Sequence, residues 1–239
     1  MHQDFYLGLL PIVMGILTVV LFNYIDQSKF QVRGVVGPYF AALALLFGLF
    51  TSLTASDIWQ RAGKANTLVC TEANSLASLL EISKIMAPAE AVIIKSVVRD
   101  YTRETQTIEF SDTKQALSTN AVEALHRLYA IAASPVNFNH VVPIQTEFLK
   151  SLEQARGAHL ERIELKKRHL VPTKLLIIFI FGLLTQFSIA LCHAGNTRAS
   201  WASVMLFSLA FSAAVSVLTK FADPIGFSSM ISATAIADI

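Results

Sequence analysis

The residues of this chain with a capacity for chemistry are few, and most sit in apolar surroundings. Ser208, Ser212 and Ser216 recur every four residues, flanked by Ser203 and Thr219. On a helix that spacing makes one hydroxyl-bearing stripe. Such a stripe is either the wall of a water-filled path, where hydroxyls replace part of an ion's hydration shell, or a small-residue seam against which a second helix packs. Thr185, Gln186 and Ser188 form another polar group inside an apolar run. An unpaired amide in hydrocarbon costs on the order of 2–7 kcal/mol. Gln186 therefore either bonds to a neighbouring helix or faces a conduction path.

Titratable and metal-ligating residues give less. Glu123-x-x-His126 has the spacing of half a di-iron helical site, which needs a second such pair and two further carboxylates. No second pair occurs. His126, His140, His159 and His169 show no ligand spacing, and Cys192-His193 reads as an interfacial pair at the end of an apolar run. Nucleophile elbow, phosphate loop and zinc patterns are missing from the sequence. The expectation is a protein that is not an enzyme and that uses no metal and no cofactor. Arg162, Lys166, Lys167, Arg168 and Lys174 form a basic cluster. It fixes orientation and contacts anionic lipid at about 1 kcal/mol per charge, or it draws anions electrostatically towards a pore mouth.

The elements that carry these residues are apolar helices. Leu175 to Cys192 and Ala199 to Thr219 contain no charged residue, and each is near the roughly 20 residues that a helix needs to cross about 30 Å of hydrocarbon. The link Ala194-Gly195-Asn196-Thr197-Arg198 is turn chemistry with one cation. This makes a transmembrane hairpin over residues 171–221, with spans near 172–192 and 199–219. Residues 1–55 supply another, with spans near 5–22 and 36–53. Gly8 and Gly15 share a face of the first span, and Pro11 can kink its opening turns, which a bilayer bundle tolerates. Ala44, Gly48 and Ser52 make a small-residue stripe in the second.

Residues 56–170 lie between the hairpins and read as amphipathic helices. The second span continues without a breaker through Ile58, Ala65, Leu68, Leu76 and Leu80, so one long helix ends near Ala87-Pro88. At about 1.5 Å per residue its polar part extends roughly 45 Å past the bilayer. Further helices are expected over 89–107, 114–133 and 144–169, with a loop at Ser134–Pro143. Residues 222–239 form a tail without an assignable pattern.

Composition agrees with a membrane protein. The chain has 239 residues, 54% of them hydrophobic, and a mean hydropathy of +0.54, too apolar for an ordinary soluble domain. A net charge of +2, with no basic run interleaved with aromatics, excludes nucleic acid as a partner. The N-terminus lacks a basic n-region and a small-residue cleavage site, so the first span is expected to be retained. Arg61, Lys64, Arg162, Lys166, Lys167, Arg168 and Lys174 border one side, and only Lys29, Arg33 and Arg198 the other. The positive-inside rule then puts the middle domain and both termini in the cytoplasm of a multi-pass inner-membrane protein. Cys70 and Cys192 fall in different compartments and do not pair. Spans without a deep Asp, Glu, Lys or Arg argue against a proton relay or charge-coupled transporter. Trp59 and Trp201 fit interfacial anchors.

Several motifs recur in a known order: Trp59 past the second span, Glu72-Ala73-x-x-Leu76-x-x-Leu79, Arg99-Asp100-Tyr101, the basic approach from Arg162 to Pro172, Gly182-Leu183-Leu184-Thr185, and Asp223-Pro224. In these the chain resembles the bestrophin-like family of four-span membrane proteins, over roughly residues 50–226. It departs from the family after the fourth span, where Asp223 abuts Pro224 and Ile225 replaces an aromatic. The resemblance implies an all-α membrane protein, two transmembrane hairpins flanking a cytoplasmic helical domain. It further implies likeness to bestrophins, which are oligomeric channels conducting mainly anions. The expected function is an oligomeric channel or pore, anion more than cation. The alternative is a non-conducting accessory subunit whose cytoplasmic helices dock a protein partner in a larger membrane complex. Lipid and further copies of the chain are the expected partners.

Overall fold

The computed structural model describes residues 2–24, 36–109, 118–138, 141–167, 172–193 and 196–221. Every regular element among them is helical. In chain order these are α1 (His2–Tyr24), α2 (Val36–Ser83), α3 (Pro88–Glu104), a π-helical turn (Thr105–Glu109), α4 (Thr119–Ala132), a 3-10 turn (Pro135–Phe138), α5 (Val142–Lys167), α6 (Pro172–Cys192) and α7 (Thr197–Lys220).

Local chemistry sets the boundaries. No Pro or Gly turn interrupts α2, so the expected single helix forms, 48 residues long. It stops at Ser83, where tighter bonds from Lys84 N–H to Glu81 O and Met86 N–H to Ser83 O close the chain into a turn. Ala87 is extended, and Pro88 opens α3, where its missing N–H costs nothing. The helix expected from Lys114 begins instead at Thr119. There the Ser118 hydroxyl accepts a bond from Ala121 N–H and caps the first turn. Residues 110–117 lie outside the described residues, as do 222–239. The expected loop at Ser134–Pro143 holds one 3-10 turn, and α5 opens before it ends, at Val142.

The described residues fall into two compact units, and α2 contributes to both. The first contains α1, α2 as far as Gln60, α6 and α7. Val19, Phe22, Ile189, Ala190 and Val204 form one buried cluster in it. Ile58, Ile178, Phe211, Val215 and Leu218 form another. Phe47 of α2 meets Phe207 and Phe211 edge-on at 5.4 and 5.1 Å, and Phe50 stacks on Phe181 at 5.2 Å. Three helices have the length and apolarity to cross a membrane: α2 from Tyr39, α6 from Thr173, and α7. Tyr6–Phe22 of α1 is apolar but shorter.

The second unit contains α2 from Arg61, then α3, α4 and α5. Its core draws on Leu76, Leu79, Ile94, Val98, Leu128, Phe148 and Leu152. The buried positions of α2 alternate steps of three and four: Ala65, Val69, Glu72, Leu76, Leu79 and Ser83. That is the seam of helices packing side by side.

In the first unit α6 and α7 approach closely at Gly182. A Cβ there would fall on the Phe211 ring, with Cδ1 at 2.9 Å and two further ring carbons nearer still. Phe211 is fully buried. Gly182→Ala is expected to lower stability by about 1–3 kcal/mol through overpacking, read as a reduced Tm of the purified protein. Pairing it with Phe211→Leu should recover most of the loss.

Candidate functional site

Two groups of polar side chains are enclosed by the helices, one in each unit. In the second unit, positions 72 of α2 and 162 of α5 fall on seams that are mostly apolar, and they carry opposite charges. Arg162 Nε donates to Glu72 Oε2 at 2.9 Å, and Nη2 donates to Glu72 Oε1 at 3.2 Å. Nη2 also donates to Glu109 Oε2 at 2.9 Å. The Tyr101 hydroxyl donates to Glu72 Oε1 at 2.6 Å. Glu109 Oε1 accepts from the Ser118 backbone N–H at 3.0 Å and from His159 Nε2 at 3.1 Å. The Lys166 ammonium donates to the Glu109 carbonyl, and the Tyr101 and His159 rings meet edge-on at 5.5 Å. Glu72, Tyr101, Glu109, His159 and Arg162 are each 0% exposed.

This network joins α2, α3, the π-helical turn and α5. A π turn is wider than an α turn and often marks a functional position. Here it delivers Glu109 to the interior. Burial pushes Tyr101 well above its ordinary pKa, and the Glu72 charge adds to the rise. For Arg162 burial works towards deprotonation, but the charge and hydrogen bonds of Glu72 outweigh it and hold the guanidinium more firmly charged than usual. Burial alone would raise the Glu109 pKa. The hydrogen bond and charge of His159, the charge of Arg162 and the Ser118 N–H together lower it.

In the first unit the polar group is neutral. Gln186 Nε2 of α6 donates to the Pro11 carbonyl of α1 and to Ser208 Oγ of α7, both at 2.9 Å. Ser212 Oγ donates to the Gly8 carbonyl of α1. Ser208 Oγ donates back to Val204 O at 2.7 Å, and Thr185 Oγ1 to Phe181 O at 2.7 Å. The approach to α1 requires its glycines. A Cβ on Gly15 would meet the Ser208 hydroxyl, Ser208 Cβ at 3.1 Å and Gln186 Nε2 at 3.3 Å, and one on Gly8 would meet Ser216 Oγ.

The expected site residues lie in different surroundings. Thr185, Gln186 and Ser208 are fully buried within the chain. Ser212 is half-buried against α1, and Ser216 is exposed. The basic cluster divides. Arg162 is not at a lipid or anion surface, because its guanidinium is enclosed between Glu72 and Glu109. The physical reason is its place on the seam of α5, where Phe148, Leu152, Ala155, His159 and Arg162 alternate in steps of four and three. Lys166 bonds the Glu109 carbonyl, and Lys174 pairs with Asp57 at 2.9 Å while its side chain stays 40% exposed. Lys167 ends α5, and Arg168 lies outside the described residues. Among the described residues no group of three His, Cys, Asp or Glu could hold a metal ion. The sequence signal for the network was the unbroken spacing through Glu72, His159 and Arg162. Glu109 had none, since its burial depends on the π turn.

Removing one partner of a buried ion pair strands the other, at about 3–5 kcal/mol. Glu72→Gln and Arg162→Met are each expected to lower denaturant or thermal stability by that order. Combining them should cost clearly less than the sum of the two. The lowered Glu109 pKa makes a pH prediction. A carboxylate held below its ordinary 4.5 adds stability that is fully present above that value and is lost as pH falls through the native pKa. A Tm series is expected to fall below about pH 4.5 more steeply for the natural protein than for Glu109→Gln, which is the less stable of the two at pH 7.

The bestrophin-like domain profile matches residues 9–228. Among curated proteins, none matches the sequence. Solved structures resemble the fold along its whole length. A bacterial bestrophin homologue from Klebsiella pneumoniae, crystallised as a point variant, superposes with a TM-score of 0.73 at 14% identity, covering 99% of this chain and 96% of its own. A second point variant of that homologue gives 0.71 at 14% identity, with 98% and 97% covered. A crystal structure of a membrane protein gives 0.71 at 14%, with 100% and 98% covered. At such identity the likeness speaks for fold alone, and the profile match speaks for descent. The chain, an all-helical membrane protein with apolar helices, belongs to the bestrophin-like family.

Proposed function

We propose that this protein is an oligomeric membrane channel or pore that passes anions in preference to cations. Two transmembrane hairpins, α1 with the first part of α2 and α6 with α7, flank a helical domain on the cytoplasmic side, and both termini are cytoplasmic too. Family membership supports a channel, since bestrophins are ion channels. The observation that carries the oligomer is the open face of α2. Only 6% of its most apolar window is buried within the chain, and Leu45, Leu49 and Leu53 are 68%, 49% and 58% exposed. A Cβ on Gly48 would meet nothing within 4 Å, so the stripe through Ala44, Gly48 and Ser52 is free to receive a helix of another copy. Within one chain the buried seam of Gln186 and Ser208 binds α1, so a conduction path belongs between copies. Lipid covers the remaining apolar faces, and the positive-inside bias gives the orientation.

That same enclosure of Gln186 and Ser208 favours a second reading, a non-conducting accessory subunit whose helical domain docks a soluble partner. One experiment separates the two. The full chain, purified in detergent and sized, is reconstituted into liposomes and assayed for chloride and for potassium flux. Chloride flux exceeding potassium flux is expected. Gly48→Leu should reduce the oligomer in sedimentation and the flux together. A sized oligomer that passes no ion under any gradient or voltage rules out the channel and leaves the accessory subunit.

A further inference from the structure

The face of α3 turned away from the buried network holds Lys95, Arg99 and Arg103 at successive steps of four residues. All three are exposed, and all three line one groove of about 930 Å³. That volume lies within the range of small-molecule sites, about 300–1,000 Å³. Leu80 of α2 and Val92 and Val98 of α3 give it apolar surface.

The cations in this groove make no direct ion pair, although Asp100, Glu104 and Glu123 line an adjoining groove with Arg103. Elsewhere in the same unit Lys64 pairs with Glu161, Arg127 with Glu123 and Lys150 with Glu147, and Arg156 lies over the Tyr129 ring. Among the described residues, no carboxylate lies within ion-pair distance of Lys95, Arg99 or Arg103. Asp100 lines the groove as well, leaving an excess of two positive charges there. The hydroxyls do not compete as donors: Ser96 donates to Ile93 O, and Thr102 to Val98 O and Arg99 O. The three cationic side chains are therefore the groove's main donors to an incoming anion. Four residues of helix rise about 6 Å, so the outer two cations start about 12 Å apart. One small anion cannot span that distance, whereas a chain of phosphates can, and arginine's planar fork suits phosphate oxygens.

We propose that this groove binds a soluble polyphosphate anion, inorganic or carried on a nucleoside, as a ligand site separate from any ion path. The inference does not depend on the channel reading, since it rests on the helical unit alone. Clustered phosphates also occur on lipid headgroups and acidic groups on protein partners, and the test distinguishes these. Inorganic triphosphate is titrated calorimetrically into the full-length protein in detergent. Saturable binding at one site per chain is expected, weakening as salt rises. Arg99→Gln and Arg103→Gln should each weaken it about tenfold, the loss of one charge-assisted contact. Arg127→Gln and Lys150→Gln, whose residues are already paired, should leave it unchanged. Because all these side chains are exposed, unchanged melting curves will show that the variants fold.

Absence of binding, or binding that neither Arg99→Gln nor Arg103→Gln weakens, overturns the proposal. The titration is repeated in nanodiscs of phosphatidylcholine alone and of phosphatidylcholine with phosphatidic acid. Equal affinity supports a soluble ligand. Loss in the anionic discs reassigns the groove to a lipid headgroup and overturns it. If instead a Lys95, Arg99 and Arg103 triple glutamine variant changes the oligomer's sedimentation while triphosphate never binds, the face is an interface between protein chains, and the proposal fails.

Discussion

A guanidinium shut away from water dictates the arrangement of the second unit. Arg162 has no exposed surface, so its charge must be answered from inside, and Glu72 and Glu109 answer it. They come from different elements, one on α2 and one at the end of the π turn. Slipping α5 by one residue past either would separate the charges in a medium that screens them poorly. Energetically such a network gains little over well-packed apolar side chains, because desolvation offsets attraction. What it adds is a single allowed register among three helices, with Tyr101 and His159 fixing the remaining carboxylate lone pairs.

The first unit achieves closeness by other means. Between helices in lipid there is no hydrophobic drive towards each other, so contact depends on packing and on hydrogen bonds made across the gap. Gly8 and Gly15 bring α1 against α7, and Gly182 brings α6 against the Phe211 ring of α7. Gln186 and Ser212 then reach α1 carbonyls on either side of the turn that contains Pro11. Proline has already cost this helix one internal bond, and side chains from two neighbours hold the weakened stretch in place.

Much of this architecture is legible in the sequence. Charge-free runs of span length mark α6 and α7, an uninterrupted period marks the continuous α2, and soft motifs in the right order mark the family. Arg162 misleads for a physical reason: a basic run beside an apolar one satisfies the rule for membrane orientation whether or not each member is exposed. The better clue is its spacing from His159, Ala155 and Leu152, which belongs to a packed seam. Glu109 cannot be found this way, because its inward aim depends on a turn wider than an α-helix. The α3 cations that make no direct ion pair are equally hidden. Sequence shows which charges are present, and only folding shows which of them have found a counter-ion.

The π turn at Thr105–Glu109 has an evolutionary reading. Such a turn amounts to one residue more than an α-helix would use. Winding the same five residues as ordinary α-helix, with no residue removed, would carry Glu109 about one residue further round the axis, since each residue of an α-helix turns the chain about 100°. Glu109 would leave the interior while Arg162 stayed. The place of Glu109 in the interior therefore rests on the widened winding as well as on its own carboxylate, and replacements that tighten the turn are selected against.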